Sequence, residues 1–147
     1  MANQTKSTRS VSEKDIVRNW HIIDVKGKIL GREIPRISEL LQGKHKVTYV
    51  PYLDSGDYVV VVNAKEVELT GRKEQEKEYK YFSGYPSGQK VVKFKDMRAQ
   101  KPKEIIRHAV SGMLPKNKHR DQRLARLYIF ENDQHPYADK VSSVQSI

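Results

Sequence analysis

The sequence predicts an α/β layered domain, and three observations carry that prediction. Tyr58–Asn63 is a continuous β-branched run, the mark of a strand covered on both faces, as in parallel sheets. Leu30, Ile34, Ile37 and Leu41 recur at spacings of four, three and four, which puts them on one stripe of a helix. Strand-like and helix-like segments alternate along the chain, and no internal repeat interrupts them. At 147 residues the chain fits one domain, long enough to bury a core and short for two. We assign that domain to residues 16–137.

Taken in order, residues 1–15 carry small polar and charged side chains without periodicity and are expected to form a flexible extension. Trp20, Ile22 and Ile23 precede Asp24 and a turn at Gly27, which predicts a first strand. The Leu30–Leu41 stripe, with Leu40 beside it, predicts a helix facing the sheet and ended by Gly43. Pro35 requires either that this helix start near Ile34 or that its first turn be distorted. Asp54-Ser-Gly-Asp57 reads as a turn entering the β-branched strand. Residues 72–81 mix charges with little apolar content and read as a solvated face or loop, followed by a turn-rich loop over 83–88. Pro102 is placed as the first residue of a helix, with Glu104 in its first turn and Ile105, Ile106, Ala109, Val110 and Met113 on its apolar face. Gly112 and Pro115 stop it. A further helix over 116–126, capped by Asn117, and a last strand over 127–130 complete the domain, and residues 138–147 read as a tail.

Charge narrows the function. Lys and Arg number 28 against 18 Asp and Glu, a formal +10, and only 37% of residues are hydrophobic. Such an excess favours a polyanion, and nucleic acid rewards it because each neutralised phosphate releases condensed counterion. An anionic membrane surface would call for a basic amphipathic helix with bulky apolar anchors. The longest apolar run, Tyr58–Val62, is too short to cross a bilayer, and the N-terminus lacks the apolar stretch of a signal peptide, so no membrane partner is expected. The absence of cysteine excludes disulfides, a thiolate zinc site and a cysteine nucleophile, and suits a reducing cytosol.

The charge is concentrated. Between Lys90 and Arg126 stand twelve Lys or Arg against three acids, a net +9. Lys90, Lys93, Lys95, Arg98, Arg107, Lys116, Lys118, Arg120, Arg123 and Arg126 are therefore candidate RNA contacts, and on a helix Lys116, Arg120 and Arg123 would share a face. Of the neighbouring aromatics Tyr79, Tyr81, Phe82, Tyr85 and Phe94, both phenylalanines are expected in the core. Tyr85, between Gly84 and Pro86, is the best placed to stack on a splayed base.

Signs of other chemistry are weak. The histidines at 21, 45, 108, 119 and 135 show none of the short spacings of a local metal site, so no metal site is expected. There is no P-loop, no dinucleotide fingerprint and no nucleophile elbow. A small α/β enzyme acting on a nucleotide, with Asp54 or Asp57 as general base, is the alternative. A regulator of messenger RNA would use the same basic surface.

Several ordered pieces then carry a resemblance: Trp20 with Asp24, Leu30-Gly-Arg32, Gly43-Lys44, Asp54-Ser-Gly-Asp57, Val62-Asn-Ala64, Leu69-Thr-Gly71 with Lys73, Ser83-Gly-Tyr-Pro86 and Ala109–Lys116. From Trp20 to about Tyr137 the chain resembles the bacterial-type family of the thirteenth protein of the large ribosomal subunit. The resemblance implies a three-layer α/β/α domain with a small, mainly parallel sheet of about four strands. It also implies binding to large-subunit (23S) ribosomal RNA beside neighbouring ribosomal proteins in the cytoplasm, and a part in early subunit assembly. No catalysis, cofactor or small-molecule substrate is implied. The segments around Gly84, Tyr85 and Lys90 and around Met113, Pro115 and Lys116 are implied to approach RNA, and Arg32, Lys44 and Lys73 join them from the shared pieces. The chain departs from the family pattern at His119-Arg120-Asp121, where Leu-Gly-Arg is usual, and at Tyr137, which takes the place of a second histidine after His135.

Overall fold

The computed structural model describes residues 10–141. Residues 1–9 of the expected extension and 142–147 of the expected tail lie outside the described residues. Three parallel strands, β1 (Trp20–Asp24), β2 (Tyr58–Val62) and β5 (Leu127–Ile129), form a sheet in the order β1-β2-β5. The β-branched strand is thus central: Val60 pairs with Ile22 on one side and Tyr128 on the other. Burial on both faces explains its unbroken apolar run, with Val59, Val60 and Val61 fully inaccessible. The parallel sheet has three strands rather than about four. The other two strands, β3 (Glu78–Phe82) and β4 (Gln89–Lys93), form a separate antiparallel hairpin.

Side chains alternate across the sheet. Ile23, Val59, Val61 and Leu127 join the main core beneath α1 (Leu30–Gln42) and α4 (Pro102–Met113), whose Ile34, Ile37, Leu41, Ile105, Ile106 and Val110 are buried. Val60 and Val62 face the other way, against Trp20, Ile22, Tyr128, Phe130, Tyr137 and Val141. That second layer includes α6 (Ala138–Val141) and a ring stack in which Trp20 lies 4.5 Å from Tyr58 and 5.0 Å from Tyr137, centroid to centroid. The packed unit therefore reaches Val141, four residues past the expected boundary, because that side chain closes the back of the sheet.

Helix α1 begins at Leu30, a turn before Pro35, so Pro35 sits inside it. Its ring is exposed, and the helix forgoes one bond to the Gly31 carbonyl. Gly43 ends it in the left-handed conformation, φ 76°. Residues 72–81 are not a loop: α2 (Lys73–Glu76) leads into β3, whose Tyr79 is buried opposite Val92. One inward aromatic among outward charges suffices for a strand, a pattern too sparse to see by counting apolar residues. After β4, α3 (Phe94–Gln100) buries Phe94 and Met97. Lys116–His119 is a turn rather than helix. The side-chain oxygen of Asn117 accepts the His119 N–H at 3.2 Å, and α5 runs only from Arg120 to Ala125.

Loop 54–57 packs directly on the end of α1. A Cβ on Gly56 would lie 1.8 Å from the Leu41 carbonyl oxygen and 2.8 Å from Nη2 of Arg126. Gly56→Ala is expected to cost about 2–3 kcal/mol, the upper end of overpacking costs, because the obstructing atom is backbone. Urea unfolding of the variant measures this directly, through a lowered midpoint at unchanged slope.

Candidate nucleic-acid interface

Whether a cation can meet a phosphate depends first on whether the fold has already used it. Arg126 grips Asp54 with both arms, Nη1 to Oδ2 at 2.6 Å and Nη2 to Oδ1 at 2.7 Å, and Arg123 Nε approaches Oδ1 at 3.4 Å. Arg123 is 2% and Arg126 8% exposed. Burial acts to raise the Asp54 pKa, but the hydrogen bonds and charges of Arg126 and then Arg123 outweigh it and hold the carboxyl below its ordinary range. These two arginines, expected on RNA, are therefore withdrawn from the surface. They tie the sheet's third strand to the turn that starts its second.

Asp57 is spent in the same way. Its Oδ2 lies 2.8 Å from His21 Nε2 and 3.0 Å from His45 Nε2, and its Oδ1 accepts from the Asn19 N–H at 3.0 Å and from the Lys46 ammonium. Burial tends to raise its pKa, yet His21, Lys46 and the Asn19 amide lower it more. Neither aspartate is placed as an unengaged general base. Arg98 and Arg120 are also partly engaged. Arg98 reaches Glu74 at 2.6 Å and the Lys65 carbonyl at 2.9 Å, and Arg120 donates to the Ser111 hydroxyl. With Lys116 in a turn and Arg123 buried, the expected helical stripe of Lys116, Arg120 and Arg123 does not form.

The remaining expected cations, Arg32, Lys44, Lys73, Lys90, Lys93, Lys95, Arg107, Lys116 and Lys118, are exposed. The fold gathers the expected residues around three features. In the first, Leu30 and Gly31 from α1, Leu69 before α2 and Lys73 at its start, and Ala109 and Met113 from α4 line a groove of about 470 Å³, so three separate sequence pieces converge. In the second, Lys118 and His119 line a cleft with Arg18 and Tyr52, one chain turn beyond exposed Pro115 and Lys116.

The third is the hairpin. Its tip holds Gly84 at φ 87° and Ser87 at φ 60°, closed by the Gly88 N–H to the Tyr85 carbonyl at 2.9 Å. Tyr85 is 75% exposed. Phe82, expected in the core, is 73% exposed, since Tyr79 and Val92 take the inward face and strand alternation turns Phe82 outward with Lys80 and Val91. Phe94 is buried as expected, and Tyr79, another of the neighbouring aromatics, is also a core residue. The result is an apolar, aromatic tip on strands that also carry Lys80 and Lys90 near it and Lys93 at the far end, opposite Glu78.

The family profile described as "Ribosomal protein L13" matches residues 18–136, which takes in the sheet, the hairpin and the groove. The chain belongs to the ribosomal protein L13 family. Similar proteins include the "Large ribosomal subunit protein uL13" of Clostridioides difficile (strain 630), 48% identical over 84% of this chain and 87% of that protein. The protein of the same description from Dictyoglomus thermophilum is 46% identical over 88% of this chain and 92% of its own length, and that of Chloroflexus aggregans is 48% identical over 84% and 87%. Membership in the L13 family makes the chain a structural ribosomal protein rather than an enzyme, which overturns the nucleotide-acting alternative. Within this L13-type chain, the feature that sequence reasoning missed is the convergence of His21 and His45 on Asp57. Their separation in sequence leaves no local spacing to notice. Phe82 had a signal, the alternation from Glu78 to Phe82, which charge content obscured.

Proposed function

We propose that this L13-family chain binds large-subunit (23S) ribosomal RNA, lies beside neighbouring large-subunit proteins on cytoplasmic ribosomes, and supports early assembly of the subunit. The observation that carries the RNA reading is the hairpin, where exposed Phe82 and Tyr85 at the tip share the two strands with Lys80, Lys90 and Lys93. Aromatic faces accept unstacked bases while lysines neutralise the adjoining phosphates. The groove bordered by Lys73 and Met113, and the Pro115, Lys116 and Lys118 turn, offer further exposed contacts, with Arg32, Lys44, Lys95 and Arg107 adding long-range attraction. Arg98 and Arg120 contribute only what their internal bonds leave free, and Arg123 and Arg126 act by holding the scaffold rigid.

Binding of the purified chain to a large-subunit RNA fragment, measured across a salt series, tests this reading. Lys90→Ala with Lys93→Ala is expected to weaken binding and to flatten the log–log salt dependence by about 0.7–0.9 per lost phosphate contact. An unchanged slope removes the hairpin lysines from the interface. Sedimentation of a cell extract after a high-salt wash tests the ribosomal assignment separately, the expected result being co-migration with the large subunit.

A further inference from the structure

We propose that His21, His45 and Asp57 form a zinc site. The three ligand atoms come from distant parts of the chain: His21 from β1, His45 from the turn after α1, and Asp57 from the entry to β2. They lie within 4.8 Å of one another and are the sole such group among the described residues. Both imidazoles aim Nε2 at the same oxygen, Oδ2 of Asp57, at 2.8 and 3.0 Å. Tetrahedral zinc with bonds of about 2.0–2.1 Å sets its ligand atoms roughly 3.3 Å apart, so an ion opens the two His–Asp57 edges by a few tenths of an ångström and draws the imidazole nitrogens, which lie within 4.8 Å, together by movement of part-exposed His45.

The surroundings are those of a ligand held in place. Asp57 is fully buried, and its other oxygen is occupied by the Asn19 N–H at 3.0 Å and by Lys46. Lys46 is itself anchored, donating also to the carbonyls of Val17 at 2.6 Å and Ser55 at 2.9 Å. These partners fix which oxygen faces the imidazoles, as outer hydrogen bonds do in metal sites. His45 is part-exposed, and both imidazoles line a cavity of about 180 Å³ shared with Arg36 and Glu39, which supplies an entry path and room for a water as fourth ligand. The ammonium of Lys46 opposes any cation, so charge alone does not draw one in. Two imidazoles with one carboxylate instead select a borderline ion such as Zn²⁺ over Mg²⁺ or Ca²⁺. The chain has no cysteine to offer a competing thiolate.

The test titrates the full-length, chelator-stripped chain with Zn²⁺ and Mg²⁺ by calorimetry and with Co²⁺ by visible absorption. One equivalent of Zn²⁺ is expected, no Mg²⁺ binding, and Co²⁺ bands of tetrahedral intensity. His45→Ala, at a part-exposed position outside the core, is expected to keep the wild-type circular dichroism, lower Zn²⁺ affinity more than about tenfold and abolish the Co²⁺ bands. His21→Asn is expected to do the same. Zn²⁺ binding only weakly and in several equivalents, or one-equivalent binding unchanged in both variants, overturns the proposal. RNA affinity is read separately and has no bearing on the result.

Discussion

Replacing Asp54 by Ala is expected to remove about 3–5 kcal/mol of folding stability, the usual consequence of leaving buried charge without its partner. Arg123 and Arg126 are both buried, and Asp54 is the acid paired with each. Urea unfolding measures the loss, and a change under about 1 kcal/mol, typical of exposed ion pairs, would show that the fork adds nothing beyond a surface contact. The same pair predicts a pH response. The folded-state pKa of Asp54 lies below its unfolded value of about 3.9, so its stabilisation is complete above that value. It is lost as pH falls from there through the lower folded pKa. Asp57 behaves in the same sense, with its own partners. The wild type is thus expected to lose stability steeply in acid, and Asp54→Asn, lacking one titrating group, to lose it less steeply over that interval.

The second large effect is expected at the hairpin. Phe82→Ala with Tyr85→Ala removes two aromatic faces, each 73% or more exposed, and stacking of a base is worth about 1–3 kcal/mol per base. If each ring holds one base, RNA affinity falls by at least about thirtyfold, since 1.4 kcal/mol is a factor of ten. Thermal stability is expected to stay within about 0.5 kcal/mol of wild type, because neither ring belongs to the core. Equal affinity of the double variant and wild type, with the lysine variants still weakened, would reduce the hairpin to a purely electrostatic contact.

Much of the architecture follows from local pattern. The β-branched Tyr58–Val62 marks a central parallel strand because only a strand buried on both faces tolerates that run. The apolar stripe of α1 and the Pro102 start of α4 follow from helical periodicity and from proline lacking an N–H. The hairpin was hidden for a different reason. Its strands are mostly solvated, so their composition resembles a loop, and only Tyr79 and Val92 report the inward face.

Amino-acid order by itself determined the excess positive charge, its concentration between Lys90 and Arg126, and the strands and helices of the sheet layer, β1, α1, β2, α4 and β5, all of which depend on composition and short-range spacing. Tertiary structure alone decided which cations remain for a partner. Burying Arg123 and Arg126 on Asp54 and bringing His21 and His45 to one oxygen of Asp57 depend on contacts between residues far apart in the chain. Charge is a property of the residue, but its availability is a property of the packing around it.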